Sequence, residues 1–153
     1  MVDAARLTDL EAEAWEGFLY THDRLWAQIE AGIRPLNVSM AEYSVLALLG
    51  RAGRQGMRMS DLAAQRLMTT GGFTRLADRL ESRGFIERHR SSEDRRSFVA
   101  VLTPSGRNVL RKAWRQQHTD LGRLFFSRLD DEDLRDLARV WDKLRSETDG
   151  TDG

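Results

Sequence analysis

The chain lacks cysteine altogether and has only two prolines and three histidines among its 153 residues. The absence of cysteine excludes disulfide bonds, thiolate metal ligands and any sensor that works by thiol oxidation. The three histidines (His22, His89 and His118) are too few for a histidine-rich metal centre. We therefore expect no metal and no cofactor.

Long apolar runs are also missing, since none approaches the roughly 18 residues that a membrane span needs. The N-terminus lacks the basic and then apolar segments of a signal peptide. The chain has no glycine-rich phosphate loop, no HExxH and no motif that would unite a serine with histidine and aspartate. A single-domain cytoplasmic protein that is not an enzyme is expected.

The formal net charge of zero conceals an uneven distribution. Residues 1–53 carry a net charge of −4, residues 54–111 one of +6 and residues 112–153 one of −2. A basic middle between acidic flanks is typical of a segment that binds a polyanion and is carried on a separate scaffold. Arginine outnumbers lysine 22 to 2. That ratio suits planar contacts to phosphates and base edges, although GC-rich codon usage would also produce it.

Apolar spacing predicts two helices at the start of the chain. Residues from Leu7 to Ile33 follow the three-and-four spacing of a long amphipathic helix, which Pro35 ends. Ser39 and Glu42 form a capping box, so a second helix should run from Ser39 to about Arg51.

The next segment has the proportions of a helix-turn-helix. After the short extended stretch Met57–Met59, Ser60 is a candidate N-cap of a two-turn helix that ends near Arg66. Thr69 or Thr70 should cap the following helix. The shared core is expected to contain Leu62, Ala63, Leu67, Phe73, Leu76, Ala77 and Leu80.

A hairpin should follow this pair of helices. Gly84 is placed to end the second helix after Arg83. The β-prone runs Phe85–Arg88 and Ser97–Leu102 flank the polar stretch His89–Arg96, which predicts two strands with a charged tip.

Two further helices complete the chain. Thr103 should cap the first, with Pro104 in its first position, and Asp130 should cap the second. The resulting fold class is mainly α with a small antiparallel β wing. Within one domain over 1–153, we expect a winged helix-turn-helix lobe over 36–103, flanking helices over 5–34 and 104–147, and a frayed tail over 148–153.

The flanking helices indicate a second role. The four tryptophans, Trp15, Trp26, Trp114 and Trp141, lie in these helices and none lies in the winged lobe. Self-complementary apolar faces would make a twofold-symmetric homodimer that binds a palindrome. Its half-sites would lie about 10 bp apart. The alternative is a larger monomeric core.

Three sequence blocks in this order resemble the MarR family of bacterial transcription regulators. They are Met59–Ala63, then Thr74–Glu81 with Gly84–Arg88, and then Asp94–Ser97 with Leu102–Arg107. The last pair resembles the family's wing-to-helix block, DxR followed by LTxxG. The resemblance covers nearly the whole chain and implies a winged-helix protein that binds double-stranded DNA.

The second helix of the helix-turn-helix is the expected recognition helix. A helix fits the major groove, where arginine reads guanine with paired hydrogen bonds and the first two turns reach base edges. The candidate contacts are Ser60, Thr69, Thr70, Thr74, Arg75 and Arg79. The alternatives are that the threonines are only caps and that the arginines pair with Asp78 or Glu81 on a solvated face.

Gly71 and Gly72 depart from the family pattern, because many members carry Ser, Thr or Pro at this place. Two glycines remove side chains that would read bases, while they permit close approach of the backbone to DNA. More of the specificity is therefore expected from Thr74, Arg75 and the wing.

The resemblance also implies roles for the wing. Arg96 would enter the minor groove, and Asp94 would hold its guanidinium. A narrow minor groove concentrates negative potential that attracts arginine. Arg90 and Arg95 would contact phosphates. The alternative is a charged hairpin tip that is merely solvated.

Members of the family usually have a cleft for a small, often aromatic or phenolic, anionic ligand. Candidate lining residues are His22, Trp26, Tyr43, Trp114 and His118. Imidazoles suit a carboxylate and aromatic rings suit stacking. Alternatively, the tryptophans belong to the core and the histidines are ordinary surface groups.

The function expected from the residues and the resemblance is that of a homodimeric repressor. It would act in the cytoplasm on nucleoid DNA, bind a palindromic operator and be released by a small aromatic or anionic ligand. The alternatives are an activator, or a winged-helix antirepressor that contacts protein and has no ligand control.

Overall fold

The computed structural model describes residues 7–91, 94 and 97–148, which contain six α-helices and three strands. The helices are α1 (Asp9–Ile33), α2 (Met40–Ala52), α3 (Met59–Gln65), α4 (Thr70–Ser82), α5 (Pro104–Leu124) and α6 (Asp131–Thr148). The strands are β1 (Met57–Arg58), β2 (Ile86–Arg90) and β3 (Phe98–Leu102). The predicted mainly α fold class with a small antiparallel sheet is confirmed. None of the described helices has both the length and the hydropathy to cross a membrane.

The three strands form one antiparallel sheet in the order β1-β3-β2. The predicted hairpin is confirmed, but β2 continues two residues further than expected, because Arg90 pairs with Phe98 across the ladder. The short extended stretch predicted at Met57 pairs with Ala100 as the opposite edge strand. The sheet therefore ties the turn before α3 to the wing hairpin.

The described residues form two compact units, and the first comprises residues 26–117. This unit, which we call the lobe, holds every buried apolar side chain of the described chain. In its core, α4 packs against α3 and β2, while α2 packs against β3. The largest fully buried side chains are Ile33, Val45, Leu46, Leu49, Leu62, Phe73, Leu80 and Ile86.

Most predicted helix boundaries are confirmed by hydrogen bonds. The Ser39 hydroxyl accepts from the Glu42 N–H at 3.2 Å, while the Glu42 carboxylate accepts from the Ser39 N–H at 3.0 Å. Thr69, rather than Thr70, caps α4 by accepting from the Gly72 N–H at 3.3 Å. Gly84 follows α4 with a positive φ of 68°. These bonds satisfy helix-end groups that would otherwise lack partners.

The Asp130 cap is also confirmed. Its carboxylate accepts from the N–H groups of Glu132 and Asp133 at 2.8 and 2.9 Å. Helix α6 then runs through Thr148, which the sequence had placed in the tail, while residues 149–153 lie outside the described residues.

Two local predictions are wrong. Ser60 is not the N-cap of α3, because the helix begins at Met59 with Arg58 as its N-cap. The Ser60 hydroxyl instead bonds the Asp61 carboxylate at 3.2 Å. Leu67 does not join the core: it is 96% exposed, with φ of 50°, in the turn that ends α3. The helix stops at Gln65, two residues before it, so the Leu67 side chain does not continue the apolar stripe of the helix.

The start of α5 is fixed to the turn that follows α4. The Thr103 hydroxyl donates to the Gly84 carbonyl at 2.6 Å and accepts from the Gly106 N–H at 2.9 Å. A Cβ added to Gly106 would lie 1.9 Å from the Phe85 carbonyl oxygen. The Thr-x-x-Gly spacing of the sequence thus serves close packing of the helix against the backbone before β2.

The second unit has a different composition. Its described part comprises residues 7–25 and 118–148, and none of the apolar side chains described there is buried. Its aromatic rings meet each other, with Phe18 lying 5.8 Å from Trp15 and 5.7 Å from Trp141 between ring centroids. The large exposed apolar residues are Leu7, Leu10, Trp15, Phe18, Leu19, Tyr20, Phe126, Val140, Trp141 and Leu144.

Candidate nucleic-acid interface

Helices α3 and α4 form the predicted helix-turn-helix, joined by the four residues 66–69. Helix α4 divides cleanly into two faces. Phe73, Leu76, Ala77 and Leu80 are buried in the lobe, whereas Thr74, Arg75, Asp78 and Arg79 are exposed. The exposed polar side chains Thr74 and Arg75 lie within the first two turns after the Thr69 cap, the part of a recognition helix that reaches base edges in known complexes.

The two arginines of this face have different surroundings. Arg75 is exposed and makes no hydrogen bond or ion pair with any residue in the described part of the chain. Arg79 is 58% exposed, and its Nε lies 3.7 Å from Oε1 of Glu42, a carboxylate that is only 8% exposed. The interpretation that pairs these arginines with Asp78 or Glu81 is therefore wrong for Arg79 and unsupported for Arg75. Of the two, Arg75 has the guanidinium that is not already engaged by a described residue.

The end of α4 is fixed to the N-terminus of α2. Nη1 of Arg83 donates to Glu42 Oε2 at 3.3 Å, and its Nη2 donates to the Asn37 carbonyl. Glu42 is thus both half of a capping box and the counter-ion of Arg83. Because a buried carboxylate needs partners, these contacts hold the recognition helix in one orientation in the lobe.

Gly71 and Gly72 leave the first turn of α4 without side chains at two positions, as the sequence predicted. A Cβ on Gly71 would meet nothing within 4 Å, while one on Gly72 would lie 3.1 Å from the Thr69 hydroxyl. Thr70 begins the helix, but its side chain is not described. The backbone around Gly71 is therefore open to a close approach.

The wing is partly described. Its strands close through the Ser91 N–H, which donates to the Ser97 carbonyl at 2.9 Å. Asp94 N–H donates to the Ser91 hydroxyl at 3.4 Å, and the Asp94 carbonyl accepts from the Ser97 N–H at 3.0 Å. Asp94 therefore has a backbone role in the turn at the tip. The expected minor-groove residue Arg96 and its neighbour Arg95 lie outside the described residues, as does the predicted contact between Asp94 and Arg96.

Arg90 lies at the end of β2, and its guanidinium carbon is 5.7 Å from the centre of the Phe98 ring. Both side chains are exposed and face each other across the ladder. Such a cation–π contact orients the arginine without neutralising its charge.

The candidate ligand residues fall into both units. His22 and His118 belong to the second unit, whereas Trp26, Tyr43 and Trp114 belong to the lobe. Tyr43 is buried, and burial raises the pKa of its phenol despite the opposing charge of Arg51. Trp26, Trp114 and both histidines are exposed. His22 also lines an apolar cleft of about 790 Å³ within the second unit, together with Trp15, Phe18 and Trp141.

One cluster of the lobe was missed by sequence reasoning. Arg88 of β2 contacts both Asp78 and Glu81 of α4. Its hydrogen bonds hold the pKa of the Glu81 carboxyl below its ordinary value, and in return raise that of Arg88. No helical spacing connects these residues, because the chain reverses at Gly84 between them. The signal available in the sequence was the pair of acidic residues before the predicted turn at Gly84 and the arginine after it.

Comparison with known proteins agrees with this geometry. The sequence profile of the MarR family matches residues 38–98, which span α2 to the start of β3. The chain belongs to the MarR family. The proteins of this family are transcription regulators and not enzymes, as the sequence led us to expect.

Three similarities show the extent of the match. The chain is 38% identical over 88 residues to the uncharacterized HTH-type transcriptional regulator YfiV of Bacillus subtilis (strain 168), which covers 58% of this chain and 54% of YfiV. It thus spans about half the length of that relative. AbsC, a MarR family transcriptional regulator from Streptomyces coelicolor, superposes with a TM-score of 0.88 at 29% identity, over 97% of this chain and 100% of AbsC. Sco3205 from the same organism, solved in complex with DNA, has a TM-score of 0.87 at 24% identity over 94% of each chain.

Proposed function

We propose that this MarR-family chain is a homodimeric repressor that binds a palindromic operator in double-stranded DNA. The observation that carries the proposal is the exposed face at the start of α4, where Arg75 has no partner in the described part of the chain. An unneutralised arginine on the second helix of a helix-turn-helix is suited to guanine in the major groove. Sco3205 has a similar fold and was solved in complex with DNA, which supports the proposal that this fold binds DNA here too.

The proposed contacts divide by type. Thr74 and Arg75 would read base edges, while the open backbone at Gly71 approaches the DNA closely. Arg79 and Arg90 would contact phosphates, since both are exposed and phosphate contacts position the protein without reading sequence. The further candidates are Ser60, Thr69, Thr70, Asp94, Arg95 and Arg96, with Arg96 entering the minor groove.

The homodimer follows from the second unit. Its described residues bury no apolar side chain and expose ten large ones, among them Trp15 and Trp141. Apolar clusters of this kind mark protein interfaces, because water contact with so many rings is unfavourable. The cleft of about 790 Å³ beside Phe18 would receive side chains of a second copy. A twofold-symmetric pair would place two α4 helices on half-sites about 10 bp apart.

Release by a small aromatic or anionic ligand completes the proposal. His22, Trp26, Tyr43, Trp114 and His118 remain the candidate residues, and the four exposed ones offer rings and imidazoles to a ligand. The same fold could also serve an activator, or an antirepressor that contacts protein instead of DNA. The DNA-binding test below distinguishes the antirepressor from the other two. Acting on chromosomal DNA would place the protein in the cytoplasm.

The test begins with selection of duplexes from a random pool by the purified protein. Binding to the selected duplex and to a scrambled one is then measured by fluorescence anisotropy at low and near-physiological salt. We expect two subunits per site and a preference that survives the higher salt. Arg75→Ala and Arg96→Ala should each weaken binding about tenfold or more. Addition of benzoate, as a simple aromatic anion, tests release.

The matched control is Arg135→Ala on α6, where an exposed ion pair with Asp131 contributes little. Its affinity for the selected duplex should equal that of the wild type. If no sequence is enriched, and binding to both duplexes disappears equally with salt, only a nonspecific electrostatic attraction exists. That result would contradict the repressor proposal and favour an antirepressor that contacts protein.

A further inference from the structure

A single arginine connects the wing to the recognition helix. Nη2 of Arg88, on β2, lies 2.8 Å from Oδ1 of Asp78 on α4, and its Nε donates to Oε2 of Glu81 at 2.9 Å. Nη2 also donates to that Glu81 oxygen. The backbone N–H of Arg88 donates to the other one, Oε1, at 3.1 Å. Both oxygens of Glu81 and one of Asp78 are therefore held by one residue.

The contacts of Arg88 span the turn that joins α4 to the wing hairpin. Helix α4 ends at Ser82 and β2 begins at Ile86, with Gly84 between them at a φ of 68°. Arg88 reaches back to Asp78, ten positions earlier in the sequence and one turn before the end of the helix. A planar guanidinium with bonds to two carboxylates fixes orientation as well as distance. Backbone bonds from the Gly84 and Phe85 N–H groups hold the turn itself, and Arg88 adds a side-chain link between β2 and α4 beyond it.

The charge of this cluster is wrong for direct attraction of DNA. One arginine and two carboxylates sum to a net charge of −1 beside a face that should meet a polyanion, and Asp78 is exposed on that face. Arg88 itself is only 24% exposed and is already neutralised by its partners. A direct phosphate contact therefore does not explain the cluster. Its geometric effect does.

The angle between α4 and the wing matters for DNA binding. If α4 lies in the major groove, the hairpin of β2 and β3 must reach the adjacent minor groove at the same time. Two contacts made by one rigid body bind better than two that must first be ordered. We propose that Arg88, through Glu81 and Asp78, is a positioning residue that holds the wing at the angle at which both grooves are contacted together. This inference rests on the proposed function.

The test uses the full-length protein and the duplex selected with the wild type. Dimethyl sulfate methylates guanine N7 in the major groove and adenine N3 in the minor groove, so one reagent reports both contacts. Wild type should protect both positions. Arg88→Met should keep the guanine protection, lose the adenine protection and lower the preference for the selected duplex about tenfold.

Further variants separate positioning from folding. Glu81→Gln leaves the Asp78 contact and should reduce adenine protection partially, and Arg88→Lys, which keeps the charge without the fork, should fall between wild type and Arg88→Met. The control is Arg139→Met on α6, whose ion pair with Asp136 at 3.0 Å is exposed. It should change neither protection. Circular dichroism at the footprinting temperature confirms that each variant is folded.

Each outcome decides between explanations. The inference would be overturned if Arg88→Met and Glu81→Gln are folded and each protects guanine and adenine as well as the wild type does. Parallel loss of both protections would also overturn it, since the cluster would then only stabilise the lobe. If the wild type itself protects neither groove and enriches no sequence, the proposed function fails, independently of Arg88.

Discussion

Replacement of Gly106 by alanine tests the packing of α5 against the wing hairpin. The added Cβ would lie 1.9 Å from the Phe85 carbonyl oxygen, 2.9 Å from its carbonyl carbon and 3.2 Å from Cδ2 of Leu102. The two nearest atoms are backbone, so no side-chain rotation relieves the clash. Either α5 or the turn before β2 must move.

The expected change in the free energy of unfolding combines two destabilising contributions and one stabilising contribution. Overpacking of this kind costs about 1–3 kcal/mol, and displacement here would also stretch the bond from the Gly106 N–H to Thr103, worth about 1 kcal/mol. The higher helix propensity of alanine returns up to about 1 kcal/mol. We therefore expect a net loss of about 2 kcal/mol in the free energy of unfolding, or a melting temperature lower by about 4–8 °C.

The assay is urea unfolding followed by tryptophan fluorescence and circular dichroism. Gly122→Ala in the same helix is the matched control, since a Cβ there meets nothing within 4 Å of the described chain. That variant should be as stable as the wild type or slightly more stable. Equal stability of Gly106→Ala and Gly122→Ala would refute the close-packing explanation of the Thr-x-x-Gly motif.

Four further predictions concern other parts of the chain. Leu67→Gly should raise the free energy of unfolding by about 0.5–1 kcal/mol in urea titrations, because glycine adopts the observed φ of 50° without strain. The free energy of unfolding of wild type should exceed that of Glu81→Gln by a constant amount above pH 4.5, the ordinary pKa of the carboxyl group. This difference should decline as the pH falls through the lowered pKa that Arg88 gives Glu81, and urea titrations between pH 3 and 7 measure it. Trp141→Asp should shift sedimentation toward the monomer, whereas Arg135→Ala on the same helix should not. Because the chain has no cysteine, diamide should leave anisotropy titrations with the selected duplex unchanged.

The elements that the sequence predicted well depend on contacts between residues close together in the chain. The Ser39 and Thr69 caps, the turn at Gly84 and the Asp130 cap each join groups within about four residues. Both partners of such a bond are visible in one short segment, so spacing alone identifies them. The Thr103 motif was found for the same reason, although its packing role was not.

The errors occurred where a neighbouring element decided the outcome. Ser60 looked like a cap, but Arg58, which pairs with Val99 as the last residue of β1, is also the N-cap of α3, two residues earlier than predicted. Leu67 fits the apolar spacing of α3, yet the helix has already stopped at Gln65. Periodicity identifies a helical face but does not fix its last residue.

The sequence by itself determined the order of the helices and strands, the basic middle of the chain and the residues on the exposed face of α4, because these depend on local spacing and composition. Only the tertiary structure decided which charges are already paired. Glu42 meets Arg83 from 41 positions away, and Arg88 takes the carboxylates that were candidates for Arg75 and Arg79. Such pairs depend on where the chain reverses. Packing of the helix-turn-helix against the sheet therefore selects Arg75 as the free cation of the described recognition face.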